Sequence, residues 1–240
     1  MRRILLTAAA ALLAATGVAV GGATVGEAPS TAAPGCADVH VLFARGTAET
    51  APPLGVTGIA FGESMKRRLP GKSVRVEAVR YAASSDFSHR LRFAKSVVDG
   101  IDNAQRRITS IATHCPDTKI VLGGYSQGAA LAGYLTNDSF ALPAAYARYR
   151  SYVPKPLSAE TASHIAAVIQ FAPPSSRFLR DVGAPPIRPS KEFRGKIARY
   201  CIVGDTICNG ARAGAPNALH VLYSVNGMTD RAANFAARRL

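Results

Sequence analysis

A serine is a poor nucleophile at neutral pH unless a base lies within hydrogen-bond reach and an acid orients that base. This chain sets one serine in a context built for that chemistry, Gly124-Tyr125-Ser126-Gln127-Gly128. The pattern is G-x-S-x-G, a sharp turn between strand and helix that lifts the serine hydroxyl clear of a sheet. Lys119-Ile120-Val121-Leu122 before it is apolar enough for a strand covered on both faces, and Ala129, Ala130, Leu131 and Leu135 after it favour a helix. The two glycines fit a turn where the chain passes too close to itself for side chains. The first N–H groups of the helix point toward any oxyanion formed at Ser126.

In strand-turn-helix hydrolases of this kind the remaining partners follow the serine in the order acid, then histidine. That order excludes His40, His89 and His114, and His164 has no suitably placed acid before it. His220 remains, with Asp205 ahead of it in Cys201-Ile202-Val203-Gly204-Asp205-Thr206-Ile207-Cys208. A second oxyanion donor is expected from the loop after the first strand, where Gly46-Thr47 offers a backbone N–H and a hydroxyl. An ordinary turn with a capping threonine is the competing reading there.

The elements that must position these residues alternate along the chain. Strands are expected at 38–43, 73–79, 119–122, 166–171 and 196–202. Helices are expected from Thr57 to Leu69, along a long amphipathic stretch ending near Thr113, after Ser126, and from Asp230 to Leu240. Strands alternating with helices give an α/β sandwich. Residues 137–163 are less regular. Leu142, Tyr146, Tyr149, Tyr152 and Val153 form an aromatic-apolar stripe among Arg148, Arg150 and Lys155, read either as a surface helix packed on the core or as a mobile cover that meets lipid.

Met1-Arg2-Arg3, the Ala-rich apolar run Ile4–Val20 and the small residues up to Thr31-Ala32-Ala33 read as a cleaved secretory signal, residues 1–33, leaving one domain over 34–240. A retained anchor is the competing reading. The four cysteines, Cys36, Cys115, Cys201 and Cys208, then imply two disulfides; three pairings exist, and the spacing fits no zinc site. Net charge is +14. In an exported chain that excess suits an anionic lipid or envelope polymer rather than nucleic acid. A monomer is the default expectation.

These blocks together resemble the cutinase family. The resemblance rests on Phe43-Ala44-Arg45-Gly46-Thr47, on Lys119 to Gly128, on the Cys-x-x-Gly-Asp-x-x-Cys block at 201–208, and on His-x-x-Tyr from His220 to Tyr223. It spans Cys36 to about Tyr223. It implies a small α/β-hydrolase, a three-layer sandwich around a five-stranded parallel sheet, and hydrolysis of carboxylic esters without metal or organic cofactor. By the same resemblance Ser126 matches the nucleophile, Asp205 the orienting acid, His220 the base, and Thr47 and the Gln127 N–H the oxyanion donors. The disulfides implied are Cys36–Cys115 and Cys201–Cys208. Two features depart from the family pattern: a longer 137–164 segment and the wording Phe171-Ala172-Pro173-Pro174, both bearing on substrate choice. The alternatives are a lipase or phospholipase A acting on longer chains and, from another class, a non-catalytic envelope-binding protein.

Overall fold

The computed structural model describes residues 35–140 and 144–240, with the side chains of 144–146 left aside. The expected signal segment and Leu142 lie outside the described residues, as does the Tyr146 side chain.

Five strands form one parallel sheet in the order β2-β1-β3-β4-β5: β1 Val39–Ala44, β2 Val74–Ala78, β3 Lys119–Tyr125, β4 Ile165–Phe171 and β5 Ile197–Tyr200. The order reverses between β1 and β3, so the loops leaving those two strands diverge and open a crevice at their carboxyl ends. Register places Ala44 beside Gly124 and Phe171 beside Tyr125. The expected strands are all present. β3 runs three residues further than its apolar stretch suggested, because Gly123, Gly124 and Tyr125 remain paired with β4. β5 is shorter, because the chain turns at Cys201 to enter the disulfide loop.

Helices cover both faces. On one, α2 (Arg90–His114) and α3 (Gln127–Tyr134) pack Ile101, Ala104, Ile108, Ile111 and Leu131 onto Leu42, Ile120, Leu122 and Val168. The i, i+3, i+7, i+10 spacing in α2 is the amphipathic period read from sequence. On the other face, α1 (Gly55–Arg68) and a C-terminal helix (α6, Met228–Ala237) pack Phe61, Met65, Ala232 and Ala236 onto Val41, Phe43, Val121, Ile169 and Phe171. Gly58 and Gly62 let α1 approach closely: a methyl at Gly58 would lie 2.6 Å from the Phe43 ring, and one at Gly62 would lie 3.0 Å from Val76. Phe43, Phe61 and Phe171 then cluster with ring centres 5.7–6.3 Å apart. Each such fully buried ring contributes about 1.5–3 kcal/mol. Two short helices, α4 (Ala159–Ser163) and α5 (Ser176–Asp181), flank β4; both start at a serine whose hydroxyl accepts a backbone N–H, the cap that side chain favours.

One polar group interrupts the α2 face. His40, 3% exposed on β1, places Nε2 3.1 Å from Glu77 Oε2, and Glu77 is held bidentately by Arg107 of α2. Burial, together with Arg107 and Arg75, pulls the His40 imidazole below its ordinary value against the opposing pull of Glu77.

The segment expected to be irregular is so. Its described part is a 3₁₀ helix, Ala144–Tyr152, ahead of α4. Arg148 lies over the Tyr149 ring and Tyr152 is 65% exposed, so the stripe is only partly turned inward. Disulfides join Cys36 to Cys115 and Cys201 to Cys208. The first closes a 79-residue separation, which in the chain-entropy account is worth about 4–5 kcal/mol.

Candidate active site

Ser126 follows β3 and caps α3 with φ 52° and ψ −115°. A non-glycine residue in that region carries about 1–3 kcal/mol of strain, tolerated where the surroundings hold it. Here the Ser126 N–H bonds the Phe171 carbonyl at 2.9 Å, and its own carbonyl accepts Ala130 N–H at 3.0 Å. The flanking glycines are obligatory on contact grounds: a methyl at Gly124 would drive into the Gly128 carbonyl, and one at Gly128 into the carbonyls of Ala44 and Arg45. The second contact also shows that the loop leaving β1 lies directly against the start of α3.

The serine hydroxyl points at His220, with Oγ 2.9 Å from Nε2. On the other side of the ring Nδ1 lies 2.9 Å from Asp205 Oδ2. The chain brings His220 there on a 3₁₀ turn, Ala218–Val221, whose geometry Tyr125 fixes: its hydroxyl donates to the His220 carbonyl at 2.5 Å and its ring lies 5.1 Å from the imidazole. Sequence identified Tyr125 only as a filler in the turn pattern.

Asp205 is fully buried. Burial pushes its carboxyl up, yet the bonds from His220, Tyr223 and the Ile207 N–H outweigh that, and the net shift is downward. Tyr223 donates to Asp205 Oδ2 at 2.6 Å and accepts the Ile202 N–H at 2.9 Å, so one buried phenol ties the acid to the strand end before it. Burial and the adjoining carboxylate push that phenol far above its ordinary range, so it stays a donor. The Cys201–Cys208 bridge closes the same loop. The sequence marked Tyr223 only as part of a motif; its fixed distance from His220 was the available signal.

Gln127 is the first residue of α3, so its N–H has no intrahelical acceptor. Its side-chain amide reaches across the crevice toward the Ser84 carbonyl at 3.5 Å. Thr47 lies half-buried in the loop 45–50. That loop is pinned by Glu49, a residue the sequence reading passed over. Its two oxygens accept Gly46 N–H at 2.8 Å and Thr57 N–H at 2.9 Å, joining the loop to the first turn of α1. Among the described residues no group of three or more His, Cys, Asp or Glu is arranged to hold a metal ion.

A buried carboxylate, an imidazole and a serine hydroxyl in sequence, opening onto free helix N–H groups, form the constellation of acyl transfer. The cutinase family profile matches residues 35–240. The chain belongs to the cutinase family. A probable carboxylesterase, Culp7, of Mycobacterium tuberculosis is 47% identical over 72% of this chain and 88% of its own. A phospholipase, Culp4, of the same organism is 37% identical over 100% of this chain and 92% of its own. Among solved structures, a Trichoderma reesei cutinase in complex with a phosphonate inhibitor superposes with a TM-score of 0.60 at 30% identity, covering 85% of this chain and 76% of that one. This cutinase-family chain is a carboxylic ester hydrolase with the α/β-hydrolase architecture of its relatives.

Proposed function

We propose that the chain is a secreted serine esterase in which Ser126 is the nucleophile, His220 the general base and acid, Asp205 the orienting carboxylate, and Thr47 with the Gln127 N–H the oxyanion donors. The observation that carries this is the unbroken relay Ser126 Oγ–His220 Nε2 at 2.9 Å and His220 Nδ1–Asp205 Oδ2 at 2.9 Å. His220 takes the serine proton as Ser126 attacks the ester carbonyl. The tetrahedral oxyanion is held by the donors at Thr47 and Gln127, each worth roughly 3 kcal/mol in such sites. His220 then protonates the leaving alcohol, and water, deprotonated by the same imidazole, releases the acid from the acyl-enzyme. Residues 1–33 serve as the export signal, and the domain acts as a monomer.

Exposed apolar residues lie next in chain to two of the proposed reacting groups, Val203 before Asp205 and Val221, Leu222 and Val225 after His220, and Phe87 and Leu91 follow Ser84, whose carbonyl faces the Gln127 side chain. They support a second reading of substrate class, long-chain lipid presented at a surface, in which residues 137–163 act as a cover; the Culp4 relative is named a phospholipase. Chromogenic acyl esters from C4 to C16, assayed with wild type beside Ser126→Ala, separate the two. A short-chain optimum lost in the variant supports the esterase. A long-chain optimum, also lost, supports the lipase. Activity that survives Ser126→Ala, together with failure of a serine-directed phosphonate to label the wild type, removes the Ser126 mechanism.

A further inference from the structure

Away from the crevice, beside the outer edge strand β5, the surface folds into a groove of about 380 Å³ lined by Pro189, Lys191, Phe193, Arg194, Ile197 and Arg199 among others. No acidic side chain lines it among the described residues. The neighbouring acid, Glu192, accepts the Ser190 hydroxyl at 2.6 Å and stands in the field of Lys191 and Lys196, so it offsets part of the positive charge beside the groove without lining it. Lys191 and Arg194 are exposed, and among the described residues neither side chain makes a hydrogen bond or close ion pair.

Arg199 differs from its neighbours in being held. Its Nε donates to Gln170 Oε1 at 3.1 Å. Gln170 is 1% exposed, and its Nε2 donates to the Ala129 carbonyl of α3 at 3.0 Å. Room for that amide exists because residue 133 is glycine; a methyl there would lie 2.7 Å from Gln170 Nε2. A buried amide, fixed at both ends, therefore holds one edge of the guanidinium, and among the described residues its terminal nitrogens make no hydrogen bond. A pre-organised guanidinium loses little freedom on pairing with a carboxylate or phosphate. The floor of the groove is set as well: Ser190 N–H bonds the Thr136 carbonyl at 2.8 Å, and Asn137 pairs with Pro189. Arg239, from the α6 side of the sheet, reaches the end of the groove, where its Nε donates to the Gly195 carbonyl at 3.0 Å.

We propose that this groove is a docking site for an extended, water-soluble polyanion bearing carboxylates or phosphates, seated across Lys191, Arg194 and Arg199. Charge complementarity selects the anion. The surroundings select a soluble chain over a bilayer: a membrane-binding face combines cations with exposed apolar side chains, and no large exposed hydrophobic residue falls within 188–200 or 228–240. Phe87, Leu91, Val203, Val221, Leu222 and Val225 are exposed instead in the segments flanking the crevice, so the two surfaces take different partners. The groove is formed by residues that take no part in acyl transfer, so a bound polymer leaves the reaction free to proceed. This proposal does not depend on the esterase reading.

The test is fluorescence anisotropy of labelled polygalacturonate and of labelled poly(glycerol phosphate) with the full mature protein, over a range of salt. Lys191→Gln/Arg194→Gln removes two exposed charges of the groove; Lys72→Gln/Arg106→Gln removes two exposed charges elsewhere. The groove variant is expected to lose at least fivefold in affinity for one or both polymers, with a shallower salt dependence, while the control loses less than twofold. Gln170→Leu, which frees Arg199, is expected to weaken binding several-fold with both groove cations intact. The two polymers distinguish carboxylate from phosphate as the recognised group. Hydrolysis of a soluble short-chain ester by the two double variants is expected to match wild type, which reports that they fold. Equal losses in both double variants, or no binding of either polymer, would overturn the proposal. So would groove-dependent binding to phosphatidylglycerol vesicles with none to the polymers.

Discussion

Replacing Tyr223 by Phe removes one oxygen from a fully buried ring and leaves the apolar packing in place. Two bonds go with it: the 2.6 Å donation to Asp205 Oδ2 and the 2.9 Å acceptance from Ile202 N–H. The first is made to a charge, and such bonds contribute about 1.5–3 kcal/mol. Asp205 keeps the Ile207 N–H at 3.0 Å and the His220 contacts, so the carboxylate stays oriented and only part of that energy reaches the transition state. A loss near 1.4 kcal/mol is about tenfold in kcat/KM. The second bond leaves a part-buried N–H without its acceptor, worth about 1–3 kcal/mol of stability. At about 2–4 °C per kcal/mol for a domain of this size, Tm should fall by roughly 4–8 °C. The pH dependence of stability takes its sign from the same bond. Tyr223 and His220 help hold the Asp205 carboxyl below its ordinary value, so their contribution is present above the ordinary carboxylate range and lost as pH falls through the folded value. Without the phenol the carboxyl moves back up, and acid unfolding begins at higher pH. The assay is kcat/KM for a soluble short-chain ester, beside thermal melts across the acid range. An acid-unfolding midpoint that does not move, with kcat/KM within twofold of wild type, would refute the reasoning, and so would a loss confined to KM.

Glu49→Gln should satisfy only one of the Gly46 and Thr57 N–H groups, because an amide presents a single acceptor; kcat is expected to fall about tenfold with KM within twofold, read by steady-state kinetics. Gly128→Ala should force the β1 loop off the elbow, lowering Tm by about 4 °C or more at a cost of at least 1–3 kcal/mol and cutting kcat at least tenfold, checked by melting and turnover on the same preparation. His40 has a folded-state value below its unfolded one, so the unfolded chain takes up a proton there first as the medium is acidified. Its contribution is present above about pH 6.5 and lost as pH falls below that value, so urea midpoints at pH 7 and pH 5 should differ less in His40→Gln than in wild type.

The sheet was legible because its strands are short apolar runs bounded by turn residues, and parallel strands buried on both faces have that composition. That Ser126, Asp205 and His220 come together was legible because the strand-turn-helix context restricts which histidine fits beside the serine. Glu49 and Tyr223 were not assigned a role, since each acts through one tertiary bond, to Gly46 and to Asp205, that no local pattern encodes. Arg199 was likewise an ordinary cation in an edge strand until Gln170, 29 residues away in sequence, was placed beside it. Within 137–163 the apolar stripe predicted either a packed helix or a cover. A proline at each end of the stretch, Pro143 and Pro154, and tyrosines alternating with arginines leave no continuous helical face, and the chain settles into a 3₁₀ turn.

The parallel sheet has a consequence for how the protein is made. The loop carrying Thr47 is synthesised first, Ser126 next, and Asp205 and His220 only after β5, yet all four segments converge at the carboxyl ends of neighbouring strands. A nascent chain that has emerged as far as α3 already displays Ser126 but lacks His220. With the roles proposed above, reactivity is then withheld until the last strand joins the sheet and the turn bearing His220 closes over Tyr125. Turnover in a refolding experiment should appear with the final, long-range docking step rather than with the earlier collapse of β1, β2 and β3. Chains truncated before His220 are expected to show no ester hydrolysis, which an activity assay on the truncated protein checks.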